Sequence, residues 1–200
     1  MSKLRVGVLA SGSGSILQAI IDGQDDHYEV VVVGSDVPDC PALGRARPAG
    51  IPTVVVAFPK PIEERGPASK ELGDALRGHG VELACNAGFM KILAPDYFDA
   101  LAVPAMNSHP ALLPSFPGPH GIRDALAHGV KVTGTTIHFA TPDVDAGPII
   151  AQEPVAIAPD DTEETLHERV KQVERRLYPE VIRQFAQGRI VLEGERVRIT

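Results

Sequence analysis

Apolar positions along the chain fall into short continuous runs divided by glycine-rich or polar punctuation. Arg5-Val-Gly-Val-Leu-Ala10 stops at Ser11-Gly-Ser-Gly-Ser15, after which Leu17, Ile20 and Ile21 recur at helical spacing as far as Gly23. That order predicts a strand, a glycine loop and a helix. Val30-Val-Val-Val33 follows without polar alternation and ends at Gly34-Ser35-Asp36, as a parallel strand covered on both faces would. The N-terminal segment therefore predicts a βαβ unit.

From Pro38 to Pro67 prolines recur around the strand-like Thr53-Val-Val-Val56, predicting loops about one further strand. Glu71 to Arg77 has helical propensity, and Val81 to Ala87 reads as a buried strand running into Gly88-Phe-Met-Lys-Ile-Leu93. Val103 to Met106 is a short strand that delivers Asn107-Ser108-His109, and Pro110, Pro114, Pro117 and Pro119 keep the next segment extended. Gly134 to Ala140 and Ile149 to Ile157 are strand-like about a polar loop, Thr141 to Gly147. Asp161 and Glu164 have capping-box spacing before the helical face Leu166, Val170, Val173 and Leu177, and Pro179 is expected to bend or end that helix. Arg189 to Leu192 and Val197 to Ile199, about Glu193-Gly-Glu195, predict a terminal hairpin. The expected fold is α/β: an open, mostly parallel twisted sheet flanked by helices, Rossmann-like in the N-terminal half and mixed toward the C-terminus. No repeat or linker divides the chain, so a single domain over 1–200 is expected.

Composition narrows the partners. The chain has 200 residues, and 19 Lys+Arg against 26 Asp+Glu give a net charge of −7, which argues against general binding to nucleic acid or anionic lipid. No apolar run approaches the roughly 20 residues that a bilayer demands, and a soluble, cytoplasmic protein is expected. Cys40 and Cys85 lie far apart in unlike contexts, fitting neither a disulfide framework nor a zinc site. His27, His79, His120, His128 and His167 show no metal-ligand spacing, so no metal is expected.

Chemistry is concentrated where strands end. A glycine loop between strand and helix gathers unpaired N–H groups at the positive end of a helix dipole, which makes Gly12 to Ser15 a candidate anion site, with a plain tight turn as the alternative. The loop lacks the third glycine of the dinucleotide fingerprint and the Gly-Lys-Ser/Thr of a P-loop, although Asp36 leaves a dinucleotide reading open. Asn107 and His109, two apart on extended backbone, point the same way. An amide that donates to a developing oxyanion beside an imidazole that moves protons suits acyl transfer; satisfying loop backbone is the alternative. Asp145, in Pro142-Asp-Val-Asp-Ala-Gly147, could approach His109, and a carboxylate there favours a charged imidazole. His138, between Ile137 and Phe139, reads as a packing or hydrogen-bonding residue. No Gly-x-Ser-x-Gly elbow is present.

Taken together, Ser11-Gly-Ser-Gly-Ser15, Ala87-Gly-Phe-Met-Lys-Ile-Leu93, Asn107-Ser-His-Pro-Ala-Leu-Leu-Pro114 and Asp145-Ala-Gly-Pro-Ile149 closely resemble the folate-dependent phosphoribosylglycinamide formyltransferases of purine biosynthesis, in order from about Val6 to Arg189. The resemblance implies transfer of a formyl group from 10-formyltetrahydrofolate, as co-substrate, to the amine of phosphoribosylglycinamide, without a metal. It maps the catalytic trio onto Asn107, His109 and Asp145. It puts the substrate phosphate on the backbone of Gly14, Ser15 and Ile16, with Glu174 and Lys171 reaching substrate from the late helix. It puts folate against Met90, Lys91, Ile92, Leu93 and the loop Thr141, Pro142, Asp143 and Val144, with Arg65 as the basic residue beside it. Ile16 stands where relatives commonly carry Asn, and Lys171 where a Gln is common. The partners implied are small molecules, and a homodimer stays open. The rivals are a formyltetrahydrofolate deformylase, against which Pro110 stands directly after His109; a methionyl-tRNA formyltransferase, which needs a further RNA-binding domain; and a nucleotide-binding or NAD-linked protein using Gly12 and Gly14.

Overall fold

The computed structural model describes residues 2–194 and 196–200. The chain forms two compact units, one ending at Met106 and the other Asn107–Thr200. The first carries β1 (Leu4–Leu9), α1 (Ser15–Asp22), β2 (Tyr28–Ser35), α2 (Pro41–Ala46), β3 (Thr53–Val55), α3 (Gly66–Gly78), β4 (Leu83–Asn86) and α4 (Pro95–Leu101). Its strands lie in the order β3-β2-β1-β4, all parallel. Leu9 of β1 is in register with Gly34 of β2 and Asn86 of β4, so three carboxyl ends finish level. In open parallel sheets that edge is where ligands bind.

The apolar runs become strands because they are buried on both faces: Val6, Val8, Leu9, Val32, Val33, Leu83, Ala84 and Cys85 have no solvent exposure. Helix α1 turns Ile16, Leu17, Ile20 and Ile21 inward. Helices α3 and α4 meet at Gly73, where a β-carbon would come within 2.7 Å of the Tyr97 carbonyl oxygen. The Pro38 to Pro67 stretch holds more structure than its punctuation suggests. Besides β3 it contains α2, the 3-10 turns Arg47–Ala49 and Ile62–Glu64, and the start of α3. Pro41, Pro67 and Pro95 all sit in the first turn of a helix, where the missing N–H has no partner to lose.

Strand β5 (Ala105–His109) crosses into the second unit, which continues with α5 (Gly121–His128), β6 (Val132–Phe139), β7 (Ile149–Ala156), α6 (Glu163–Ala186) and the hairpin β8 (Ile190–Glu193) with β9 (Arg196–Ile199). The order is β5-β6-β7, and β6 with β7 is antiparallel. The α/β class and the passage from parallel to mixed pairing agree with the sequence reading. The terminal hairpin forms as expected, although Glu195 in its turn lies outside the described residues. Among the described residues no helix is long and apolar enough to cross a membrane.

Helix α6 departs from the sequence reading in three respects. Its cap is Thr162 rather than Asp161: the Thr162 hydroxyl accepts the Thr165 N–H at 3.3 Å, and the Thr165 hydroxyl accepts the Thr162 N–H at 3.0 Å. Asp161 is drawn away to Arg169 and to the Ala158 N–H at 2.7 Å. The fully buried line is Leu166, Val170, Glu174 and Tyr178, which puts a carboxylic acid on the inner face; Val173 packs half-buried against Leu166 and Val170 as expected, and Leu177 is half-buried. Pro179 does not end the helix, which runs to Ala186 with Val181 and Ile182 buried beyond it. Thr162→Ala removes one half of the capping pair and should lower the unfolding free energy by about 1 kcal/mol, measured as a lower urea midpoint at unchanged slope.

Candidate active site

The pleat of β5 and β6 separates two faces. Ser108 donates to Glu174 of α6, the Thr135 hydroxyl lies 3.3 Å from the same carboxylate, and Phe139 stacks edge-on against Phe185 of α6. Asn107, His109, Thr136 and His138 alternate with these residues and face the other way. Asn107 and His109 stand inside β5, not beyond its end as the sequence suggested. The Thr135 hydroxyl of β6 reaches the His109 carbonyl at 3.3 Å.

On this second face four polar side chains meet. Asp145, with its side chain 8% exposed, places Oδ2 at 3.3 Å from His109 Nδ1 and Oδ1 at 3.6 Å from His138 Nε2. The Gly118 N–H donates to Asp145 Oδ2 at 2.7 Å, and Asn107 Nδ2 lies 3.2 Å from His138 Nε2. Burial by itself raises the Asp145 carboxyl, but the nearby His138 ring, the Gly118 N–H and His109 outweigh it and hold the group below the ordinary carboxylate range. His109 Nε2 faces the Phe116 carbonyl oxygen at 2.8 Å. Both ring nitrogens of His109 thus face acceptors, an arrangement satisfied in full only when each carries a proton. Asp145 and Phe116, which supply those acceptors, are non-glycine residues in the left-handed region, at φ 54° and 55°.

The loop carrying Asp145 is closed by the Phe139 N–H, which donates to the Pro148 carbonyl at 2.9 Å. A β-carbon at Gly147 would lie 1.8 Å from the Phe139 oxygen, so only glycine permits that closure. Thr141 donates to the Asp143 carbonyl at 3.0 Å, and Pro142, Asp143 and Val144 are exposed on the same loop. The sequence reading paired Asp145 with His109 but left His138 out of the cluster. Alternation signals which way His138 points, and nothing local signals what it meets.

In the first unit the glycine loop leads into α1 through Gly14, at φ 68°, whose β-carbon would fall 2.7 Å from Ala42 Cα. No side chain caps α1, so the amides of Ser15 and Ile16 open its N-terminus, while the Ile16 side chain is buried. Helix α2 holds the loop from behind: Ala42 N–H donates to the Gly12 carbonyl at 3.1 Å and Arg45 Nε to the Ser13 carbonyl at 2.7 Å. Ser11 ties the loop to the next strand end. Its N–H donates to Gly88 O at 3.0 Å, and its hydroxyl accepts Met90 N–H at 2.9 Å and donates to Asp36. Lys91 Nζ lies 3.6 Å from Asp36. With its side chain 4% exposed and two partners in place, Asp36 is not free to receive a ribose hydroxyl, which removes the main support for a dinucleotide reading. Met90 and Ile92 are exposed and Leu93 is buried.

The remaining candidates lie elsewhere. Arg65 caps α3 and donates to the Pro59 and Lys60 carbonyls at 3.1 and 2.9 Å, bracing its own loop. Glu174 is 3% exposed on the α6 face of β5, opposite Asn107 and His109; burial raises its carboxyl, and Ser108, Thr135 and the charge of Lys171 only partly offset this. Among the described residues no group of three or more His, Cys, Asp or Glu could hold a metal ion.

The two buried acids imply opposite pH dependences. Asp145 is depressed in the folded state, so it contributes stability above the ordinary carboxylate range near pH 4 that is lost as pH falls through its folded value. Glu174 is raised, so the folded state loses stability as pH climbs from the ordinary carboxylate range through its elevated value. Urea unfolding over a pH series should show Asp145→Asn with a weaker acid-side decline than the parent, and Glu174→Gln with a weaker decline toward neutral pH. Unchanged slopes would contradict the geometry.

Residues 4–182 match the model of the formyl transferase family. The chain is 42% identical over 192 residues to the phosphoribosylglycinamide formyltransferase of Mycobacterium tuberculosis, covering 95% of this chain and 88% of that one. It is 40% identical over 200 residues to the trifunctional purine biosynthetic protein adenosine-3 of Bos taurus, covering 98% of this chain and 20% of that larger protein. The crystal structure of glycinamide ribonucleotide transformylase 1 from Symbiobacterium toebii superposes with a TM-score of 0.92 at 44% identity, over 99% of this chain and 94% of that one. By sequence and by fold, the chain belongs to the formyl transferase family.

Proposed function

We propose that the chain transfers the formyl group of 10-formyltetrahydrofolate to the amine of 5'-phosphoribosylglycinamide, as a folate-dependent phosphoribosylglycinamide formyltransferase of purine biosynthesis. The observation that carries the mechanism is the buried Asp145 carboxylate set against His109, with Asn107 two residues along the same strand face. The amine nitrogen attacks the formyl carbon and the carbonyl π pair moves to oxygen. Asn107, through an Nδ2–H, and His109, through a ring N–H, stabilise that oxyanion. His109 Nε2–H is held by the Phe116 carbonyl, so the oxyanion takes over from that carbonyl as acceptor. Collapse breaks the bond from carbon to N10 of the folate. The proton lost by the attacking nitrogen passes to N10 by way of water ordered by Asp145, giving the formamide and tetrahydrofolate.

The phosphate is assigned to the amides of Gly14, Ser15 and Ile16, a backbone site that suits a chain of net charge −7. Met90 to Leu93, the Thr141 to Val144 loop and Arg65 are assigned to folate, and Glu174 with Lys171 to the substrate. The same reading treats 1–200 as one formyltransferase domain with small-molecule partners and without nucleic acid or membrane. It puts the protein in the cytoplasm, in keeping with the buried Cys40 and Cys85, which are not joined in a disulfide. A homodimer is left open as its assembly.

Both substrates should raise the melting temperature while NAD does not. His109→Ala should retain that stabilisation and lose about 10²-fold or more in kcat, followed as folate absorbance with and without the glycinamide ribonucleotide. Formate release in the absence of the amine would favour a deformylase instead.

A further inference from the structure

We propose that His138 is a positioning residue that fixes the orientation of the Asn107 amide, so that Asn107 presents a donor and not an acceptor to the reacting carbonyl oxygen. The inference rests on the formyl-transfer reading and adds a residue that the sequence treated as packing.

His138 sits on β6 with its side chain 2% exposed, on the face it shares with Asn107 and His109. Its Nδ1 lies 2.9 Å from the carbonyl oxygen of Phe139. A carbonyl only accepts, so Nδ1 carries the proton, and in the neutral ring Nε2 is left with a lone pair. Asn107 Nδ2 is 3.2 Å from that nitrogen, at a distance where it donates. Asp145 Oδ1 stands 3.6 Å from Nε2, beyond hydrogen-bond distance, so Asn107 is the partner of that nitrogen.

A carboxamide has two ends of equal size and opposite hydrogen-bonding sense. Free to turn by half a revolution, Asn107 would offer Oδ1 to an oxygen gaining negative charge, which repels where Nδ2–H would attract. The neutral His138 ring breaks this symmetry because Nε2 can accept but not donate. One Nδ2–H is consumed by His138, and the other remains for the oxyanion. The Phe139 carbonyl is itself held in place, since its own N–H is bonded to Pro148 and bare Gly147 packs against its oxygen. The tautomer of His138 is thereby set by backbone rather than by a mobile side chain.

The test is a double-mutant cycle with a spectroscopic control. His138→Phe keeps a flat ring but no acceptor, and should lower kcat about 10²-fold with KM for both substrates within about threefold. His138→Gln, whose side-chain oxygen can accept from Asn107, should recover about tenfold of that loss. In an Asn107→Ala background His138→Phe should change kcat less than about twofold, because the group it orients is gone. Full additivity of the two changes, or parent-like turnover by His138→Phe, overturns the proposal. Nitrogen-15 NMR of the unliganded parent reads the ring directly and depends neither on activity nor on the folding of a variant. A protonated Nδ1 with an unprotonated Nε2 is expected, and a proton on Nε2 overturns the assignment. Absence of formyl transfer by the parent removes the functional reading while the NMR result on His138 still stands or falls alone.

Discussion

The second unit is organised by the need to compensate one buried carboxylate. Removing a charged oxygen pair from water is costly unless donors replace the lost hydration. Asp145 finds those donors in two separate places, the Gly118 N–H from the proline-rich segment and His109 from β5, with the His138 ring of β6 standing 3.6 Å away. Each requirement propagates. The Gly118 contact fixes the segment after Pro110 closely enough for Phe116 to reach His109, and the His138 contact needs Phe139 and Gly147 to lie against each other. The left-handed backbone at Phe116 and Asp145 is the conformational consequence of aiming two acceptors at one ring.

The first unit meets the opposite electrostatic demand with different material. On the proposed reading the phosphate meets backbone amides at a helix N-terminus, which carry no mobile charge that could attract nucleic acid, rather than a general basic surface. Gly14 lets the loop pass against Ala42, and Ser11 acts as donor and acceptor at once between Asp36 and Met90. The Asp36 carboxylate, which a dinucleotide fold would leave for ribose, is spent on joining this loop to the segment that begins at Gly88.

Much of this was legible in the order of residues. Strands β1, β2 and β4 were visible because burial on two faces leaves a continuous apolar run, and the i,i+2 spacing of Asn107 and His109 placed both on one face. Helix α2 was not, and α3 was read only from Glu71 onward, since Pro41 and Pro67 break a periodic pattern in the same way whether they end a helix or start one. His138 was undervalued for a different reason. Its direction follows from strand alternation, but its partners come from β5 and from a loop beyond the strand end, and such distances have no local signature. Leu166, Val170 and Val173 were read correctly as one packed face, but Glu174 and Tyr178 were missed because an apolar stripe drawn through hydrophobic residues alone passes over an acid.

Glu174 and Asp145 together show what separates a well-compensated buried acid from a poorly compensated one. Both lie beneath the surface of the same unit, and burial pushes both carboxyls upward. For Asp145 a main-chain N–H and two imidazoles reverse the push; for Glu174 two hydroxyls and a lysine one helical turn away do not. Hydroxyls lose their bonds to water on burial, so two of them cannot repay the desolvation of a full charge. A leucine at this position would complete the apolar line from Leu166 to Tyr178 at less expense to folding. The folded protein therefore keeps its unmet hydrogen-bonding demand at Glu174, on the opposite side of β5 from the group that is fully met.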